Sequence, residues 1–308
     1  MVSRSLHAER AQNIWSSFQR NLDPLARGAT IIPSPHCDFD AIGGLATPKE
    51  EILTYACAAT SPEVYARWGT FPPSAILMIG RQGSGKSLLA EALSSHTDTA
   101  FIRVDVPRMV LDVIHGASKV GELVHGWTQA LEEMPPVTVF FDELEFSQAH
   151  DMGGRGAELP TGPIMDFLFE LVQRAIGASG CQVLGSTSHP DSLPHAWLAP
   201  GRFERVVEVN PVFPNDVVEA LRIHARQAEQ RSGRPLFGPI DWAKVVGNTR
   251  EASIGDWVRI LHAVLRRKAR LDAAGETPEP VSPQDLSREL SRFRQAQTRV
   301  HMDGGNYL

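Results

Sequence analysis

The stretch Gly80-Arg81-Gln82-Gly83-Ser84-Gly85-Lys86-Ser87 constrains this chain more than any other part of it. It fits the pattern GxxxxGK[ST]. It follows at once on the apolar run Ala75 to Ile79, which reads as a buried strand, and it precedes Ser87 to Leu93, whose spacing predicts a helix. A strand, a glycine-rich loop and a helix in succession make a cradle for phosphate. Glycines let successive backbone N–H groups converge on phosphate oxygens, the lysine reaches the β- and γ-phosphates, and the serine hydroxyl binds Mg²⁺. The helix adds the partial positive charge of its N-terminus. Gly80, Gly83, Ser84, Gly85, Lys86, Ser87 and, in the first helical turn, Leu88 are the candidates for holding a nucleotide. Lysine is scarce, with five in 308 residues, and Lys86 is the one whose setting predicts a task.

A nucleoside-triphosphate site needs a second half, an apolar strand that ends in acid. Val137-Thr138-Val139-Phe140-Phe141-Asp142-Glu143 supplies it. Asp142, with Ser87, is the candidate for the Mg²⁺ shell. Glu143 is the candidate for polarising the attacking water, because phosphoryl transfer needs positioning and charge neutralisation more than covalent help.

Further buried strands are expected at Ala100 to Val106 and at Gln182 to Leu184, with helical patterns between. Strands alternating with helices indicate an α/β fold with a mostly parallel sheet covered on both faces. Before it, Ile14, Trp15, Phe18 and Leu22 lie at helical spacing in residues 5–22, and Arg27 to Pro35 reads as a turn-rich linker. Ser147 to Gly162, rich in glycine and polar residues, reads as a mobile loop. From about Asn215 the pattern becomes helical, at Asp216 to Gln230, Ile254 to Leu271 and Pro283 to Arg294, with Ser282, Pro283 and Asp285 forming a helix-start signature. The expected organisation is an N-terminal helix and linker over 1–36, a nucleotide-binding α/β domain over 37–212, a small helical lid over 213–294 and a tail over 295–308.

Hydrophobic residues at 42% and charged residues at 21% exclude disordered and fibrous classes. A net charge of -6 argues against nucleic acid as a partner, and no basic-aromatic stripe offsets it. Cys37, Cys57 and Cys181 form no CxxC pair, which fits reduced thiols, and neither a secretory signal nor an apolar run of membrane-spanning length is present. A cytoplasmic protein is expected.

Five stretches in order resemble the AAA+ ATPases, and within them the classical AAA clade of Cdc48-type segregases, proteasomal ATPases, membrane AAA proteases and katanin-type severing enzymes. Phe39-Asp40-Ala41-Ile42-Gly43-Gly44-Leu45 resembles the entry motif. Pro72 through Ser87 resembles the Walker A segment, with Arg81-Gln82 where the clade usually has two prolines. Phe140 through Glu143 resembles Walker B. Ser186 through Asp191 and Pro200-Gly201-Arg202-Phe203-Glu204-Arg205 resemble the second region of homology. Arg222-Ile223-His224 is similar to a segment of the small domain.

The resemblance implies ATP with Mg²⁺ bound between the α/β domain and the lid, near Ile42, Gly43 and His224, in a homo-oligomeric, usually hexameric ring. It implies that Arg202 and Arg205 are arginine fingers for the neighbour's site, that Ser188 stands at the polar sensor position, normally Asn, with Thr187 beside it, and that the substrate is a protein, directly or through an adaptor. Val113-Ile114-His115-Gly116, the segment corresponding to a pore loop, carries no aromatic, and Ser253-Ile254-Gly255 replaces a Ser-Gly-Ala motif. No HExxH or Asn-Lys-x-Asp occurs, so neither a fused zinc protease nor a guanine-specific site is expected. The functional expectation is an ATP-hydrolysing ring motor that remodels, disassembles or unfolds proteins. The alternative is an ATP-switched scaffold with slow hydrolysis.

Overall fold

A computed structural model of the chain describes residues 2–115, 119–145, 161–247 and 252–303. The chain divides into two compact units, one of residues 1–39, 46–81 and 86–209, the other of residues 40–45, 82–85 and 210–308.

The first unit runs α1 (Val2–Asn21), α2 (Asp23–Arg27), β1 (Ala29–Ile32), α3 (Ala46–Thr60), α4 (Glu63–Arg67), β2 (Ile76–Ile79), α5 (Lys86–His96), β3 (Ala100–Asp105), α6 (Val106–His115), α7 (Val120–Glu133), β4 (Val137–Asp142), α8 (Thr161–Gly177), β5 (Cys181–Thr187) and β6 (Arg205–Glu208). Its sheet has the order β1-β3-β4-β5-β2-β6, with β1 antiparallel to β3 and every other pairing parallel. The four central strands are those expected from the apolar runs. Every residue of β4 is buried, as a strand covered on both faces requires.

The stretch expected as a linker, Arg27 to Pro35, contains the edge strand β1, and the segment with the two arginines leads into the opposite edge strand β6, which begins at Arg205. Both are four residues long and partly exposed, so neither leaves a continuous apolar run to be read. The expected loop Ser147 to Gly162 falls outside the described residues, except that Thr161 and Gly162 open α8.

Helix α1 packs on this unit. Ala11, Trp15 and Phe18 are buried, and Arg10 donates to the carbonyl of Glu133 at 2.9 Å. Ring contacts continue inward, from Trp15 to Phe18 (5.0 Å between centroids), to Trp127 on α7 (5.9 Å), to Phe141 on β4 (6.3 Å).

The second unit is built on α9 (Asn215–Ser232), α10 (Trp242–Val246), α11 (Ile254–Ala273) and α12 (Pro283–Asp303). Its core gathers Val217, Leu221, Trp257, Leu261 and Leu286. Helix α11 opens on a reciprocal cap between Ser253 and Asp256. The expected start of α12 is there too, with Ser282 and Asp285 bonded in the same way, and the helix runs on past Arg294 into the expected tail. Among its described residues the unit's regular structure is helical apart from one parallel bridge between Phe237 and Val281.

Candidate active site

The parallel pairing of β2, β4 and β5 brings their C-terminal ends to one edge of the sheet, and the acid, serine and lysine of the first unit meet there. Lys86 opens α5 and folds back over its own loop, donating to the carbonyls of Gly80 at 2.6 Å and Arg81 at 3.1 Å and approaching Ser188 Oγ at 3.5 Å. Burial lowers its pKa, against the opposing pull of Asp142, Glu145 and Glu143. Lys86 and Ser188, predicted from separate stretches, are thus brought together.

Ser87 Oγ donates to Asp142 Oδ2 at 3.2 Å, which brings the two residues expected to share a metal within hydrogen-bond distance. Asp142 is the last residue of β4 and is 6% exposed. Its other oxygen, Oδ1, accepts from Ser186 Oγ at 2.5 Å. Oδ2 also accepts from both Nε (3.0 Å) and Nη2 (2.6 Å) of Arg103. Register explains the last pair. Asp105 lies opposite Asp142 in the parallel ladder, so Arg103, two residues earlier on β3, projects from the same face.

Glu143 follows with φ +59°, a left-handed conformation that costs a non-glycine residue about 1–2 kcal/mol. The Ser186 hydroxyl fixes the bend by accepting from the Glu143 backbone N–H at 3.2 Å. The carboxyl of Glu143 is raised above the ordinary range, first by burial and then by the charges of Asp142, Glu145 and Asp105. Glu145 accepts from the Ser188 backbone N–H at 2.8 Å. Thr187 is buried in β5, where its hydroxyl accepts from the His189 backbone, and Leu88 turns a 45% exposed side chain outward from α5.

The tip of the phosphate loop and the entry motif belong to the second unit. Gly83 and Gly85 have φ of +76° and +111°, which suit glycine alone. Gly255 N–H donates to the Gly83 carbonyl at 3.0 Å, and a Cβ on Gly83 would come within 2.6 Å of Ser253 Oγ. The Ser84 hydroxyl is buried without a partner among the described residues. Ile42 is buried, and Gly43 lies so close to α9 that a Cβ there would meet the Ala220 backbone nitrogen at 2.2 Å. Asp216 holds this arrangement, accepting from Leu45 N–H at 3.1 Å and Val212 N–H at 2.8 Å. His224, on α9, meets the His262 ring edge to face at 5.8 Å, and its pKa is lowered by burial, His262 and Arg231.

Both predicted fingers are engaged within their own chain. Arg205 pairs through two contacts with Glu51 on α3, Nε to Oε2 at 2.9 Å and Nη2 to Oε1. Arg202 lies 4.1 Å above the Phe169 ring and donates to the Ala196 carbonyl. Between them, Glu204 accepts from the backbones of Gly201 (2.6 Å) and Ser74 (2.9 Å), and these bonds lower its pKa. In the segment corresponding to a pore loop, Val113 and Ile114 are partly buried against the core, while Gly116 lies outside the described residues.

Sequence reasoning missed Arg103, Ser186, Glu145, Asp216 and Glu51. A basic residue inside the run Ala100 to Val106, which is apolar apart from Arg103 and Asp105, was the available signal for Arg103. The others depend on pairings that only the folded chain makes.

A glycine-lined phosphate loop leaving one parallel strand, opposed by a buried aspartate that closes another, defines a P-loop nucleotide-binding protein. Residues 76–211 match the family described as ATPase family associated with various cellular activities (AAA). The chain belongs to the AAA+ ATPases, in their classical branch. It is 30% identical to the proteasome-activating nucleotidase of Methanocella arvoryzae over 76% of this chain and 54% of that protein. It is 32% identical to that of Methanocaldococcus jannaschii, over 67% of this chain and 48% of the relative. With the cell division cycle protein 48 homolog of Archaeoglobus fulgidus the figures are 27% identity, 89% and 35%. The chain thus spans about half or less of these relatives' own length.

Proposed function

We propose that the chain is an ATP-hydrolysing motor that works in the cytoplasm as a homo-oligomeric, hexameric ring and remodels, disassembles or unfolds protein substrates, directly or through an adaptor. The observation that carries this reading is the convergence of Lys86, Ser87, Asp142, Glu143 and Ser188 at one end of the sheet. The names of the relatives, a nucleotidase that activates proteasomes and a Cdc48 homolog, support a motor acting on proteins and do not favour a slow ATP-switched scaffold.

Each residue has a part. The loop from Gly80 to Lys86 receives the phosphates, and the Lys86 ammonium leaves its own loop carbonyls for the β- and γ-phosphate oxygens. Ser87 and Asp142 offer only oxygen donors, 3.2 Å apart, which is the set a magnesium ion takes. When bound, Mg²⁺ supplies charge neutralisation at the phosphates. Glu143 orients and polarises water, and its raised carboxyl suits a group that takes a proton. Ser188, beside Lys86, senses the terminal phosphate. Ile42, Gly43 and His224 attend the base. Arg202 and Arg205 serve the site of the neighbouring subunit, so activity requires assembly. Among the described residues no helix is long and apolar enough to cross a membrane.

Steady-state ATP turnover measured against protein concentration tests the reading. Turnover per chain should rise as the ring assembles. Assembled protein that releases no phosphate rejects it.

A further inference from the structure

Among the described residues, Arg103 is the one ion-pairing group at Asp142 to which the hydrolysis scheme gives no part. It is bound firmly, through two nitrogens to a single carboxylate oxygen, the same Oδ2 that accepts from Ser87. With Ser186 on Oδ1, the carboxylate has four donors. The two partners differ in what leaving would cost. The Asp142 side chain is 8% exposed and cannot turn to water, and a buried carboxylate without countercharge or metal is strongly disfavoured. The Arg103 side chain is half-exposed, stands within electrostatic reach of Glu143, and can move toward solvent while keeping its charge hydrated.

A divalent cation entering beside Ser87 and Asp142 meets a guanidinium held at the oxygen it needs, and like charges at that separation in a partly buried site repel strongly. We propose that Arg103 is a built-in countercharge that holds Asp142 while the site lacks metal and is displaced when a divalent cation arrives, so that Arg103 sets the metal concentration at which the site loads. The inference rests on the reading of Ser87 and Asp142 as the metal site. It makes Arg103 a positioning residue, acting through Asp142 rather than on the nucleotide.

Binding of a fluorescent ADP to the full chain, followed against Mg²⁺ concentration, provides the test, together with thermal melting of the chain freed of metal and nucleotide. Arg103→Met should lower the half-saturating Mg²⁺ concentration by about fivefold or more, since displacement no longer opposes loading. It should also lower the metal-free melting temperature, while Arg103→Lys, which keeps the charge, stays close to wild type in both. In an Asp142→Asn background Arg103→Met should have little further effect on melting. A half-saturating concentration that is unchanged or raised in Arg103→Met overturns the proposal, as does an undiminished melting effect in the Asp142→Asn background. Should Arg103→Met fail to fold, Arg103→Gln carries the same expectation. Wild-type ADP binding that ignores Mg²⁺ would reject the metal site itself, and the inference with it. A wild type that responds beside an unshifted variant rejects the inference alone.

Discussion

The guanidinium of Arg205 is clasped by the carboxylate of Glu51 from the same chain, edge to edge through two contacts. An arginine that serves a neighbour's site must exchange this partner for a phosphate when subunits meet. Arg205→Ala should therefore lower turnover of the assembled protein on the order of 10³-fold while nucleotide affinity is kept. Glu51→Gln should shift stability by less than about 1 kcal/mol, because the pair is partly exposed. Phosphate release and denaturant melts read the two effects. Full activity of assembled Arg205→Ala removes the arginine from the catalytic scheme.

Glu143 combines the chemical role proposed for it with a strained backbone. Glu143→Gln should still bind ATP and lose turnover by about 10²-fold or more. Glu143→Gly should lose turnover as well yet melt no lower than wild type, since glycine adopts φ +59° without the cost borne by glutamate. A marked drop in the melting temperature of Glu143→Gly would show that the side chain, and not the bend, is what the fold needs there.

Gly43 leaves no room for a side chain against α9. Gly43→Ala should destabilise the protein by about 1–3 kcal/mol, because the atom it would strike at 2.2 Å is the Ala220 backbone nitrogen and not a movable side-chain tip. Gly69→Ala, where nothing lies within 4 Å of the added carbon, provides the contrast, with strain from φ +66° alone. Urea midpoints of the two variants should differ in that order.

Acid should weaken the helical unit through its histidine pair. Both pKa values lie below the ordinary histidine value, His224 through burial, His262 and Arg231, and His262 through burial, Arg231 and Arg266. The unfolded chain then takes up protons first. Stability is whole above the unfolded pKa of about 6.5 and is lost as pH falls through that value toward the lower folded ones. The fall in melting temperature between about pH 7.5 and about pH 5.5 should be smaller in the His224→Gln, His262→Gln double variant than in wild type. Equal falls in both proteins would remove the pair as the cause.

The central strands were legible because strands largely buried on both faces leave mostly apolar runs, as Val137 to Phe141 does with Thr138 its one polar residue. The edges were not. Arg205 and Glu208 bracket only two valines in β6, and β1 alternates buried and exposed positions over four residues. The phosphate loop and its acid partner were legible because local spacing defines them. The environment of Asp142 was not, because Arg103 and Ser186 reach it from two different strands, 39 and 44 residues away along the chain, and only the ladder register aligns them. Arg205 was visible as a residue type in a motif, whereas its clasp by Glu51, 154 positions away, follows from the contact of α3 with the sheet edge.

The file of rings from Trp15 through Phe18 and Trp127 to Phe141 ends one residue short of Asp142. Mechanically, α1 is a handle bolted to the strand that ends in Asp142, and not a loose strap. A pull on that helix must strip aromatic rings from the interior, each worth about 1.5–3 kcal/mol of burial, before it can detach. Force in either direction between α1 and its attachment is then delivered to β4, and through it to Asp142 and Glu143 at its C-terminal end.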